Sequence, residues 1–153
     1  MNALHPRVRL RWGLVGLLVA LVLGGIVTAV DRFLLTISPF LGVGVAAVVL
    51  PVVVVYVLLL YRSWGYELEP DALALERGVV TKVDTAVPYV RIQHVDTRRG
   101  PLDRLLGLGQ VVVYTAGSRG ADVTVPGLTP DQARDLRNRL RDLAIESEPE
   151  DAV

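Results

Sequence analysis

Fifty consecutive residues, Trp12 to Tyr61, carry only two charged side chains, Asp31 and Arg32, which stand side by side near the middle. This feature constrains the chain more than any other. With 153 residues, the chain has room for one domain beside any membrane segment. Two apolar runs separated by one charged pair therefore predict two crossings of a lipid bilayer joined by a short connection.

The first run, Gly13 to Val30, is about 18 residues long and would rise roughly 27 Å as a helix, against a hydrocarbon core of about 30 Å. Arg7, Arg9 and Arg11 ahead of an apolar core also suit a signal peptide. The run is longer than an ordinary h-region, however, and no small-x-small cleavage site precedes Asp31, so we read an uncleaved helix over about residues 12–30. The second helix is expected over residues 39–61, with Ser38 as N-cap and Pro39 in the first turn. Asp31 to Ile37 becomes an external connection near the headgroups. Pro51 predicts a kink in mid-span.

Small residues recur every fourth position: Gly16, Ala20, Gly24 and Thr28, then Ser38, Gly42 and Ala46. Such stripes allow helix backbones to approach closely. They serve either packing within the hairpin or docking of a partner subunit. Neither span contains an ionisable residue, which argues against a proton or ion pathway within this chain. Arg7, Arg9 and Arg11 before the first helix and Arg62 after the second, against Arg32 in the connection, predict both termini in the cytosol of a multi-pass protein of the plasma (inner) membrane.

From Arg62 onward the composition is that of a water-soluble domain. The formal net charge of the whole chain is zero, which gives no reason to expect a nucleic-acid partner. There is no cysteine, so disulfide frameworks, thiolate metal sites and cysteine nucleophiles are excluded. His94 is the only histidine beyond the N-terminal tail and stands in a strand-like run. A lone strand histidine is more often a packing or surface residue than a catalyst. No phosphate-binding glycine loop is present. Neither a cofactor nor a metal is expected.

Short strand patterns follow one another: Trp64 to Glu69, Ala72 to Glu76, Val79 to Val83 after a break at Gly78, Tyr89 to Val95 after Pro88, Gln110 to Thr115, and Asp122 to Val125 beyond a turn at Ala116 to Gly120. One helix closes the series. Thr129-Pro130-Asp131-Gln132 combines an N-cap, a proline in the first turn and a capping-box glutamine. Ala133, Leu136, Leu140, Leu143 and Ala144 then form an apolar stripe. Arg134, Asp135, Arg137, Arg139, Arg141 and Asp142 form the opposite, solvated face, with Asp131–Arg134 and Asp135–Arg139 spaced for surface pairs. Residues 146–153 are expected to be a disordered acidic tail.

The run Val87-Pro88-Tyr89-Val90-Arg91-Ile92-Gln93-His94-Val95, then Gly100-Pro101-Leu102-Asp103-Arg104-Leu105-Leu106-Gly107-Leu108, then Val113-Tyr114-Thr115-Ala116-Gly117 resembles the bacterial pleckstrin-homology domain family of the second type. The likeness covers roughly Trp64 to Ile145, and the two preceding helices match that family's two-span members. It implies a mainly-β, seven-stranded bent barrel capped by one C-terminal α-helix, following a two-helix transmembrane hairpin. The domain plan is thus residues 1–63 for tail and hairpin, 64–145 for the pleckstrin-homology-like domain, and 146–153 for the tail.

For function, this plan gives a non-enzymatic, membrane-anchored interaction module, with a larger, multi-span relative as the partner that the resemblance suggests; self-association is left open. The first hairpin turn, Glu69-Pro70-Asp71, is acidic and speaks against inositol-lipid binding at that turn. Arg98, Arg99 and Arg104 form the one basic loop, a contact for anionic headgroups or a partner, each worth about 1 kcal/mol near an anionic surface. Two alternatives follow: a sensor of anionic lipid headgroups through that loop, and an accessory subunit of a membrane enzyme or transporter complex.

Overall fold

The computed structural model describes residues 1–35, 37–38, 40–117 and 122–147. The chain forms two compact units: Arg9–Arg62, and a second made of Met1–Val8 together with Ser63–Val153.

The first unit is a helical hairpin. Helix α1 spans Val8–Val30, continues as a π-helical turn over Asp31–Leu35, and is followed by α2, Leu41–Ser63. Both helices are long and apolar enough to cross a membrane, and only 11% and 6% of their most apolar windows are buried within the chain. Low self-burial distinguishes them from the core helices of a soluble fold, whose apolar faces would be covered. The small-residue stripes face each other. A Cβ on Gly24 would lie 3.0 Å from the Gly42 carbonyl oxygen and 3.3 Å from Ala46 Cβ, and one on Gly42 would collide with Thr28 Oγ1. Gly16 meets Val53 in the same way. The stripes therefore serve packing within the hairpin.

Buried Asp31 fastens the connection: its Oδ1 accepts from Ile37 N at 2.8 Å and Ser38 N at 3.2 Å. α1 starts at Val8 rather than Trp12, and Pro39, expected in the first turn of α2, lies outside the described residues. The Arg9 guanidinium lies 4.7 Å from the centre of the Tyr61 ring, a cation–π contact between the hairpin's outer ends.

The second unit holds two three-stranded antiparallel sheets, ordered β1-β2-β3 and β4-β5-β6. The strands are β1 Gly65–Leu68, β2 Ala72–Arg77, β3 Val83–Pro88, β4 Ile92–Arg98, β5 Gly109–Thr115 and β6 Val123–Leu128. A short helix, α3 (Pro101–Leu106), stands between β4 and β5, and α4 (Pro130–Glu146) closes the unit. Leu73, Leu75, Tyr89, Leu108, Val111, Val113, Val125 and Leu140 form its core, all nearly inaccessible to solvent. The Thr129–Gln132 capping box is complete, with Gln132 N donating to Thr129 Oγ1 (3.2 Å) and Thr129 N to Gln132 Oε1 (3.0 Å). Ala133, Leu136 and Leu140 are the buried stripe of α4, which packs on the second sheet and the Tyr89–Arg91 turn. The fold is that of a pleckstrin-homology-like barrel after a helical hairpin.

Four details of the β unit differ from the sequence reading. The segment after Gly78 is a turn, not a strand: Gly78 has φ +110°, a Cβ there would strike the Thr81 carbonyl, and Val80 is 93% exposed, so β3 starts only at Val83. Tyr89–Arg91 is a single 3₁₀ turn whose Tyr89 hydroxyl donates to the Glu69 carbonyl at 2.6 Å. The described residues form six strands rather than seven. Helix α4 runs through Glu146, while residues 148–153, expected to be a disordered tail, lie outside the described residues.

The fifth difference is larger. The sequence reading groups the N-terminal tail with the hairpin, but the structure builds it into the β unit. Asn2 N donates to Tyr66 O (2.7 Å) and Tyr66 N to Asn2 O (3.1 Å), which bridges the tail to β1. His5 N donates to Gly127 O at 2.7 Å on β6. Since β1 and β6 are edge strands of different sheets, residues 1–8 clasp the two sheets together. Leu4 and Val8 are buried beneath the clasp. Gly127 has φ +65°, and a Cβ on it would overlap the Val8 side chain.

Candidate interaction surfaces of the β unit

The three arginines of the basic loop have different surroundings. Arg98 sits at the end of β4, where its guanidinium hydrogen-bonds the Tyr114 hydroxyl and lies 5.7 Å from the centre of that ring. Arg99 Nε donates to the Leu108 carbonyl at 3.1 Å. Both are exposed, yet both have donors committed within the fold. Arg104 stands on α3, exposed, with no hydrogen bond or ion pair of its side chain among the described residues.

Asp103, which could have neutralised Arg104, is buried instead and accepts from Gly100 N at 3.1 Å, fixing the start of α3. Beside Arg104, Leu105 is 79% exposed. The Arg7 guanidinium lies against Gly107 at the end of α3, so the tail adds a fourth arginine to this corner. The structure therefore brings Arg7 to the end of α3 and leaves Arg98 and Arg99 attached to Tyr114 and Leu108.

A second surface was not visible in the sequence. Strand β4 pairs with β5 on one side, and among the described residues no strand pairs with its other edge. Between β4 and α4 runs a groove of about 560 Å³, lined by Ile92 to Asp96 on one wall and by Arg137, Arg141, Ala144 and Ile145 on the other. His94 Nε2 meets Asp96 Oδ1 at 2.8 Å, and the His94 ring stands 5.9 Å from that of Tyr114. Arg137, expected on the solvated face of α4, is half-buried and lines the groove; its Nε and Nη2 donate to Asn138 Oδ1 at 3.3 and 3.1 Å. Arg141 is exposed, without an ion pair or hydrogen bond among the described residues. Of the surface pairs foreseen on α4, Asp131–Arg134 forms at 3.7 Å, and Asp135–Arg139 does not form.

Helical periodicity placed Arg137 and Arg141 opposite the apolar stripe, but α4 packs on the second sheet with this face beside β4. A face that points away from the core thus still borders the sheet. The available signal was the lack of any strand-forming run that could cover β4.

Among the described residues, no three His, Asp or Glu side chains are grouped so as to hold a metal ion.

The family model described as bacterial PH domain matches residues 8–144. The chain is 32% identical over 84 residues to the UPF0699 transmembrane protein YdbS of Bacillus subtilis (strain 168), an alignment covering 55% of this chain and 51% of that protein. It therefore spans about half the length of this curated relative. No solved structure matches the chain.

Proposed function

From the premise that this chain belongs to the bacterial PH domain family, we propose that it is a membrane-anchored, non-enzymatic interaction module that presents its β unit to a membrane protein partner at the cytosolic face. One observation carries the reading. The β unit is assembled from chain on both sides of the hairpin, Met1–Val8 and Ser63 onward. The chain passes between the hairpin and this unit twice, at Val8–Arg9 and at Arg62–Ser63, which suits a surface that must meet a partner held in the same membrane. Both points lie on one side of the bilayer when α1 and α2 each cross once. The arginines flanking the pair's outer ends support the cytosol as that side.

The test uses the absence of native cysteine. Single cysteines at Asn2, Ile37 and Val80 are labelled in intact cells with an impermeant thiol reagent. Labelling of Ile37→Cys alone is expected; labelling of Asn2→Cys or Val80→Cys overturns the topology. Purification of the full chain in mild detergent then tests the partner. A membrane protein in fixed stoichiometry is expected, and recovery of the chain alone overturns the partner.

A second reading rests on Arg104 and Leu105, a cation and an apolar side chain exposed together on α3, with Arg7 close to the same helix. A fluorophore on Leu105→Cys in nanodiscs distinguishes it. A blue shift that requires anionic lipid and Arg104 establishes headgroup sensing, and an unchanged spectrum removes it.

A further inference from the structure

Resting on the interaction-module reading, we propose that the groove between β4 and α4 docks an extended, acidic segment of another protein, which adds to the second sheet as a strand beside β4. Three observations converge on this occupant. The first is the open edge. Over Ile92–Arg98, among the described residues, the strand has a partner only in β5, so its outer side carries a row of backbone donors and acceptors. A strand laid alongside satisfies such a row in register.

The second is the groove's shape and lining. Half-buried Ile92, Val95 and Ala144, with Ile145 58% exposed, offer apolar contact to the side chains that an added strand would turn inward.

The third is charge. The groove is lined by four ionisable residues, His94, Asp96, Arg137 and Arg141. The only carboxylate among them is held by His94 at 2.8 Å. Among the described residues, Arg137 donates only to the neutral Asn138 amide, and Arg141 has no ion pair or hydrogen bond. The two guanidinium groups project from positions i and i+4 of α4, about 6 Å apart along its axis. Alternate side chains of a strand repeat every 6.6 Å or so. Two acidic residues spaced i, i+2 on an extended segment therefore match Arg137 and Arg141. A second copy of β4 fits less well: its one acid, Asp96, is already paired, and its own Arg137 and Arg141 would face those of the first.

The full chain in zwitterionic nanodiscs is titrated with three fluorescent heptapeptides. One alternates valine with glutamate, the second replaces glutamate by lysine, and the third is the glutamate peptide N-methylated at alternate backbone nitrogens. Saturable binding of the first is expected, at least tenfold weaker for the other two. The Arg137→Glu/Arg141→Glu variant should reverse the preference between glutamate and lysine peptides.

Equal binding of the two charged peptides, indifference to N-methylation, or no binding of the glutamate peptide overturns the groove. The peptide variants keep the test valid even where the double substitution disturbs α4. A concentration-dependent dimer abolished by the double variant replaces the proposal with self-association. A partner that co-purifies equally with wild type and double variant leaves the interaction-module reading standing and overturns the groove alone.

Discussion

The hairpin and the β unit bury opposite kinds of residue. In the hairpin, the covered positions include Ala20 and Gly42, while Leu18, Leu21 and Val48 stand open. In the β unit, the covered positions are Leu73, Tyr89, Leu108 and Leu140. The difference follows from the solvent. Water drives large apolar side chains together, whereas lipid tails are as apolar as leucine and leave close backbone approach to decide which faces meet. The same residue type thus marks the inside of one unit and the outside of the other.

The sharpest test exchanges one leucine for alanine in each unit. Leu140→Ala, at a fully buried site, should cost about 2–5 kcal/mol in denaturant unfolding of the nanodisc-held protein. Leu18→Ala, at a site 61% exposed within the chain, should cost about 0.5 kcal/mol or less. Equal costs would break the comparison.

The inverse substitution is next in size. Gly42→Leu would drive a side chain into Thr28 and the Gly24 carbonyl and should destabilise the hairpin by about 1–3 kcal/mol. Gly44→Leu, with nothing within 4 Å of its Cβ, should be neutral. Spin labels on the two helices should move apart in the first variant only.

Smaller still is the loss of a cap. Thr129→Ala removes the acceptor for Gln132 N and should lower the stability of the β unit by about 1 kcal/mol, read as a shift in its melting transition alone.

The last effect appears only at alkaline pH. Burial raises the pKa of Tyr66, and burial followed by the charges of Asp71 and Glu69 raises that of Tyr89 against an opposing Arg139. The folded state then holds these protons more tightly than the unfolded one. Their contribution is whole below about pH 10, the ordinary tyrosine value, and is lost as pH rises through the raised values. Tyr89→Phe should flatten the alkaline fall in stability, though it also removes the hydrogen bond to Glu69. An unchanged slope in that variant would remove Tyr89 as a source of it.

What the sequence discloses follows the same division. The apolar runs, the stripes Gly16–Thr28 and Gly42–Ala46, and the capping box at Thr129 are local patterns, and each reappears in the fold. The strand expected at Val79–Val83 failed because Gly78 at positive φ turns the chain before those β-prone residues can pair. Arg98 and Arg99 read as free because Tyr114 and the Leu108 carbonyl come beside them only through β4–β5 pairing and the α3 turn. The groove was hidden for a related reason: an unpaired edge is a property of the sheet, not of Ile92–Arg98.

The tail contacts were least legible, since His5 and Gly127 are joined by nothing in the intervening pattern. They also give the chain an order of assembly. Residues 1–8 leave the ribosome well before their partner Gly127, which lies on the last strand among the described residues. On the proposed topology, both helices enter the bilayer between the two events and return the chain to its starting side. A molecule that inserts only one helix would then leave Val8 across the membrane from β6, with its place in the β unit empty. Completion of the β unit would thereby depend on correct insertion, and a mis-inserted chain would expose an open seam to the proteases that survey unfinished domains.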